Sequence, residues 1–205
     1  MTELALFWKS LALGLAIAAP LGPIGALCIA RTLERGFLAG VAGGLGTALA
    51  DATYASLAAL GFAAFSSALE TIDLPLRLAG GAFMLWLGLQ GLRARPATAP
   101  AAAPSRRGLF GTAAVTFLLT IANPATILSF AALFAGLGLA ATDGRGAAAL
   151  VVSGVFAGSM LWWICLSGGV ALARHRLADG FALWVARASG ALLVAFGLWA
   201  IAGAF

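Results

Sequence analysis

Apolar residues dominate the chain in six long runs that short polar segments separate. The runs cover residues 6–30, 37–62, 74–92, 109–139, 147–173 and 181–205. Because a helix needs about 20 apolar residues to cross a bilayer, the pattern predicts an all-α integral membrane protein with six transmembrane helices. Three of these helices lie in each half of the chain.

The polar segments carry most of the positive charge. Nine of the 12 lysine and arginine residues lie in or near the first, third and fifth segments: Arg31, Arg35, Arg93, Arg95, Arg106, Arg107, Arg174, Arg176 and Arg187. Because such residues are retained in the cytoplasm, the bias places these segments inside and both termini outside. Residues 94–107, rich in alanine and proline, are predicted to form a flexible cytoplasmic linker between a first repeat (1–93) and a second (108–205).

The amino-acid composition also indicates a membrane protein. The binding partners that it predicts are the lipid bilayer and a small solute. Hydrophobic residues make up 62% of the chain and charged residues 9%, against about 25% charged residues in an ordinary globular domain. The cations behind the net charge of +5 are spread over short loops, so no nucleic-acid partner is predicted. The sequence carries no cysteine–histidine metal spacing and no P-loop, so neither a metal nor another cofactor is predicted.

The two halves share features in the same order, which indicates a duplicated unit. Each half has a proline in its first run, a Gly-x-x-x-Gly pair in its second and an Arg-x-x-Gly sequence at the start of its third. Because each unit has an odd number of spans, the copies must be inverted relative to one another. Two inverted three-helix repeats are the plan of many secondary transporters, which bind substrate near the midplane.

The first run contains a predicted break near the middle of the membrane. Pro20, Gly22, Pro23 and Gly25 lie close together there, and each proline removes a helix hydrogen bond. The freed backbone groups must line a protein-walled cavity because they cannot face lipid. The half-helix after the break offers unpaired N–H groups suited to a substrate carboxylate. A packing kink is the alternative interpretation.

Further candidate residues for the same pathway lie in three other runs. Asn123 and Pro124 form a second break, where the asparagine can cap a half-helix or bind substrate. Asp51 lies near the centre of the second run, where a charged carboxylate costs about 2.5 to 3.5 kcal/mol and usually serves function. We expect Asp51 to meet a cationic substrate group or to carry a coupling proton. Trp162 or its neighbour Trp163 can line the cavity, with a lipid-facing position as the alternative.

Glycines at four-residue spacing predict close packing of two helices. Gly36, Gly40 and Gly44 follow this spacing along the second span, and Gly154 and Gly158 follow it in the fifth. Small residues at this spacing let membrane helices approach closely. The surface is expected to be ordinary packing, a sliding face between the repeats or a docking face for a second protomer.

These motifs together resemble the lysine exporter (LysE) family of amino-acid exporters over nearly the whole chain. The shared motifs are Pro20-Leu-Gly-Pro23, Gly44-x-Gly46-x-Ala-x-x-Asp51-x-x-Tyr54, Asn123-Pro124-x-Thr126 and Ser167-Gly-Gly169. The resemblance implies export of amino acids or related small zwitterionic solutes across the bacterial inner membrane, coupled to an ion gradient, with a homodimer as one possible assembly. The chain departs from the usual family pattern at Ile24 and Ala125, so the solute is not identified.

Three other functions remain as alternatives. An exporter of inorganic ions on the same scaffold would favour several converging oxygen or sulfur ligands, whereas one central acid favours a zwitterion. A membrane thiol oxidoreductase would need paired reactive cysteines, and Cys28 and Cys165 are instead predicted to be separate free thiols. A scaffold that transports nothing is the third. The sequence therefore predicts an alternating-access, proton-coupled transporter rather than an enzyme.

Overall fold

The computed structural model of the chain is all-helical over the residues that it describes, which are 2–20, 22–60, 62–94, 105–123, 126, 129–130, 145–174 and 180–203. These residues form seven helices: α1 Glu3–Ala18, α2 Pro23–Arg35, α3 Phe37–Leu60, α4 Phe62–Leu92, α5 Arg106–Ile121, α6 Arg145–Ala173 and α7 Phe181–Ala202. The all-α class predicted from the apolar runs is confirmed for them. Most of the predicted linker and of the fourth span beyond Asn123 lies outside the described residues.

Some of these helices are long and apolar enough to cross a membrane. Among the described residues, Gly146–Ala173 and Leu183–Ala202 each meet that requirement alone. Helices α1 and α2 meet it as a pair bent by 82°. Helix α3 is rich in glycine and carries Asp51, which makes it less apolar. These helices are those of a membrane protein, whereas the count of six crossings stays a prediction.

Helix α4 differs from the third span that the apolar pattern predicted. It begins at Phe62 rather than near residue 74, and it continues through Pro75. The segment 62–73 is polar enough to resemble a loop, but it contains neither glycine nor proline. Because no residue in this segment stops a helix, the helix extends beyond the apolar run.

The helices pack mainly in pairs that join the two halves of the chain. Helix α1 packs along α6, α5 along α3, α3 along α6, and α4 along α7. A buried apolar cluster with members from both halves includes Met84, Leu119, Trp163 and Leu193. Both halves therefore contribute side chains to the same buried cluster.

Glycines allow α6 to lie directly against α1. A Cβ added at Gly158 would collide with the carbonyl oxygen of Leu11, and one added at Gly154 would lie 2.8 Å from the carbonyl oxygen of Phe7. Gly14 of α1 faces the backbone of Val155 in the same way. Backbone atoms of the two helices are thus in contact over about two turns.

Helix α3 uses glycines against other neighbours. Gly44 faces the indole of Trp163, and Gly40 lies where a Cβ would be 2.6 Å from the hydroxyl oxygen of Ser167. Gly36 does not continue this face, contrary to the four-residue pattern. It lies between α2 and α3 with a φ of +85°, a conformation that favours glycine. Gly36 therefore forms the break between α2 and α3 and does not lie within a helix–helix contact.

The described arginines of the three basic segments lie at one end of the bundle, which we call the basic end. Helices α2 and α4 end there, and α5 and α7 begin there. The guanidinium of Arg187 lies 3.5 Å from the carbonyl oxygen of Ala94, and Arg174 lies beside Gly36. The structure thus gathers cations that are far apart in the sequence. The cytoplasmic location of this end stays a prediction.

Candidate functional site

A cavity of about 70 Å³ lies where the break between α1 and α2 meets α3, α5 and α6. We call it the central cavity. Its lining includes six residues singled out from the sequence: Pro20, Gly22, Pro23, Gly25, Asp51 and Asn123. Of the other two, Pro124 lies outside the described residues and Trp162 does not line the cavity. Local signals from three separate apolar runs therefore converge on one site.

The chain breaks where the prolines interrupt it. Helix α1 ends at Ala18, and α2 begins with Pro23 after the N-cap residue Gly22. Because glycine has no side chain, it cannot cap the N–H groups of Ile24 and Gly25 in the first turn. Such first-turn N–H groups have no partner inside their own helix. The positive end of the α2 dipole therefore borders the central cavity, where it favours an anionic group.

Asp51 provides the negative charge of the central cavity. Its side chain is 1% exposed, and its Oδ2 atom accepts a hydrogen bond of 2.7 Å from the hydroxyl of Ser159 on α6. Among the described residues that line the cavity, none is a lysine or an arginine. The carboxylate is therefore left to be balanced by a proton or by a cationic group of a bound solute.

Threonines complete the polar lining, although none of them was predicted as a site residue. Thr47 lies four residues before Asp51, so both project from the same face of α3. Thr120 lies just before the Asn123 break and Thr126 just after it, and both line the cavity. A search for polar residues at helical spacing from Asp51 would have found Thr47. Thr126 is marked by the motif Asn123-Pro124-x-Thr126, which carries part of the family resemblance.

Asn123 lies at the point where α5 ends. Its side chain is buried, its backbone N–H donates to the carbonyl of Thr120, and its carbonyl accepts from the N–H of Thr126. Helix α5 stops at Ile121, so a chain turn lies opposite the α1–α2 break. The structure brings the two interruptions to the same cavity.

The tryptophan that lines the central cavity is Trp163 rather than its neighbour Trp162. Trp163 is 3% exposed, and its indole N–H has no acceptor among the described residues. Gly44 leaves room for this indole, since a Cβ there would lie 2.6 Å from its Cγ atom. Trp162 is only partly buried and does not line the cavity, although its indole N–H also lacks an acceptor among the described residues. The rotation of α6 about its own axis, which the contact with Gly44 sets, therefore determines that Trp163 rather than Trp162 faces the cavity.

Metal ligands and paired thiols are not assembled in the part of the chain that the structure describes. It contains no group of three or more histidine, cysteine, aspartate or glutamate residues that could hold a metal ion. Cys28 is buried, Cys165 is exposed, and both are free. The site chemistry consists of one carboxylate, hydroxyl groups, an indole N–H and a helix N-terminus.

Comparisons with known proteins agree with this picture. The model of a family described as LysE type translocator matches residues 15–203. The "Uncharacterized membrane protein YahN" of Escherichia coli (strain K12) is 32% identical over 83% of this chain and 77% of its own. The "Chemotactic transduction protein ChpE" of Pseudomonas aeruginosa is 29% identical over 79% and 80%. The "Putative amino acid efflux protein YcgF" of Bacillus subtilis is 24% identical over 95% and 94%. No solved structure matches the chain.

Proposed function

Because the chain belongs to the LysE type translocator family, and is thus a transporter rather than an enzyme, we propose that it exports amino acids or related small zwitterionic solutes. The observation that carries this proposal is the pairing of charges in the central cavity. Asp51 and the N-terminus of α2 line the same small space, and they attract groups of opposite sign. A zwitterion carries both groups in one molecule.

Each end of the solute has a chemically matched partner in the central cavity. The N–H groups at the start of α2 bind the carboxylate, together with the indole N–H of Trp163, which has no acceptor among the described residues. Asp51 binds the ammonium group or exchanges its proton during the cycle. Ile17, Ala18 and Ile24 supply an apolar wall. The cavity volume of about 70 Å³ favours a small solute with a short apolar side chain.

The crossed pairing of the helices supports an alternating-access mechanism. Helix α1 packs on α6 while α5 packs on α3, so the first helix of each half contacts the second long helix of the other half. This reciprocal arrangement is expected for two inverted repeats. Rocking of one half against the other opens the central cavity to each membrane face in turn. In the inner membrane, the basic end faces the cytoplasm and both termini lie outside.

The test is efflux from proteoliposomes that contain the purified protein. The vesicles are loaded with an equimolar mixture of the protein amino acids, a pH gradient is imposed, and the retained amino acids are measured by mass spectrometry. We expect depletion of a subset with small apolar side chains, faster with the gradient than without it. The proposal would be rejected if no amino acid leaves these vesicles faster than it leaves protein-free vesicles. It would also be rejected if, in a parallel experiment, the protein selectively releases inorganic ions loaded into the vesicles.

A substitution at Trp163 tests the carboxylate partner. Trp163→Phe keeps an aromatic ring but removes the N–H donor, so we expect the KM for efflux to rise about tenfold, the loss expected for one hydrogen bond to a charged group. The maximal rate should change by less than about twofold, since the ring still fills the site. Trp162→Phe is the matched control, and its KM should stay at the wild-type value. Equal effects of the two variants would contradict the assignment of Trp163.

A further inference from the structure

A second cavity lies at the basic end of the bundle. It has a volume of about 150 Å³ and is enclosed by the second half of α2, the end of α4 and the first half of α7. It shares no lining residue with the central cavity. Its polar lining residues are Arg31, Glu34, Gln90 and Ser189, and its deeper side is formed by Leu27, Leu87 and Leu193. We call it the basic-end cavity.

Arg31 is the feature of this cavity that points to a ligand. Its side chain is half-buried, yet it makes no hydrogen bond or ion-pair contact with any described residue. Moving a charged group out of water costs free energy unless the charge is paired. Its guanidinium presents donors in a planar fork that matches a carboxylate. The cavity therefore contains a cation that has no hydrogen-bond partner among the residues that the structure describes.

The opposite charge is supplied by Glu34. It lies three residues after Arg31 on α2, so both side chains project from the same face. It is exposed, and its charge opposes the like-charge effect of Arg35 on Arg31. Gln90 of α4 adds an exposed amide on the facing wall. The guanidinium of Arg31, which can bind an anion, and the carboxylate of Glu34 thus line the same cavity.

An apolar layer separates the two cavities. Ile24 and Trp163, which line the central cavity, belong to the same buried cluster as Leu193, which lines the basic-end cavity. From Ile24 to Arg31 the rise along α2 is roughly 10 Å. A solute bound at Arg31 would therefore lie close to the central cavity, and only the apolar layer would separate the two.

We propose that the basic-end cavity is an entry site for an α-amino acid, with Arg31 binding the carboxylate and Glu34 the ammonium group. The site collects the solute at the cytoplasmic face before the apolar layer opens and passes it to Asp51. This inference rests on the proposed export of zwitterionic solutes and adds a second binding site on the same path.

Protection from alkylation tests the entry site separately from the central cavity. A Gln90→Cys variant is made with Cys165→Ser, so that the exposed native thiol is removed while buried Cys28 stays. The protein is placed in phosphatidylcholine nanodiscs and treated with a membrane-impermeant maleimide. The probe ligand is the mixture of protein amino acids without cysteine. We expect the mixture to slow labelling of the introduced thiol.

Variants of the charged residues decide what causes the protection. Arg31→Gln should raise the half-protecting concentration about tenfold, the loss expected for a charge-assisted hydrogen bond, and Glu34→Gln should do the same. Arg106→Gln is the matched control, since this exposed arginine also lies at the basic end but does not line the cavity. Protection should persist in Asp51→Asn, because that residue belongs to the other cavity.

The outcomes separate this inference from the proposed function. Export with no protection, or protection that survives both Arg31→Gln and Glu34→Gln, overturns the entry site and leaves the exporter assignment intact. Absence of both export and protection rejects the exporter assignment itself. Protection that appears with phosphatidylethanolamine in the nanodisc and no added amino acid means that a lipid headgroup occupies the cavity, which also overturns the proposal.

Discussion

Replacing Asp51 with asparagine is expected to lower the kcat/KM of export about a hundredfold, the loss typical when one partner of a desolvated charge pair is removed. Asparagine has nearly the same size, and its carbonyl oxygen can still accept the hydrogen bond from Ser159. The packing of α3 on α6 is therefore kept while the charge is lost. Initial efflux rates from proteoliposomes, measured over a range of internal solute concentrations, give the effect directly.

The control for this variant is Ser159→Ala, which removes the only hydrogen bond that the structure gives Asp51 from a described side chain. Its expected cost is about 1 kcal/mol, so kcat/KM should fall by less than about tenfold. Wild-type export by Asp51→Asn, or an equally large loss in both variants, would mean that the carboxylate serves packing rather than transport.

The residual activity of Asp51→Asn distinguishes the two roles left open for the carboxylate. If Asp51 carries the coupling proton, the variant still exchanges solute across the membrane, but an imposed pH gradient no longer accelerates it. If Asp51 only binds the ammonium group, solute exchange falls together with net export, and the remaining flux keeps its response to the gradient. Exchange and gradient-driven export should therefore be measured on the same vesicles.

The central cavity could be predicted largely from the sequence because its main residues carry strong local signals. Two prolines and two glycines within residues 20–25 disrupt a helix, whereas α4 continues through the single Pro75. A carboxylate is unusual in an apolar run whatever surrounds it. Pro20, Pro23 and Asp51 are recognisable on those grounds alone. The choice between Trp162 and Trp163 could not be made in this way, since it depends on how α6 is rotated against Gly44.

The basic-end cavity was not predictable for a different reason. In the sequence Arg31 and Glu34 belong to a short charged segment, which is best explained as a topology signal. Gln90 and Ser189 lie far away along the chain, and nothing local connects them. Only the packing of α4 and α7 against α2 brings these residues to the same space.

The contact between α1 and α6 gives the second large effect, on stability. Gly158→Ala places a methyl group against the carbonyl oxygen of Leu11, a backbone atom that a side-chain rotation cannot move away. The expected cost is about 1 to 3 kcal/mol, and a loss near 2 kcal/mol would lower the Tm of the purified protein by roughly 6 °C. Thermal unfolding in one detergent, followed by the loss of monodisperse protein, measures the shift.

Replacing Gly169 with alanine is the control that separates the effect of the α1–α6 contact from the effect of replacing any helical glycine. Gly169 lies in α6 as well, but an added Cβ there has no atom within 4 Å among those described. Because alanine is the better helix former by about 0.5 to 1 kcal/mol, Gly169→Ala should leave the Tm unchanged or raise it. The difference between the two variants then measures the close approach of α6 to α1. Equal Tm values would show that α1 can withdraw from α6 at little cost, and the α1–α2 break would then be held in place by its other contacts, with α3 and α7.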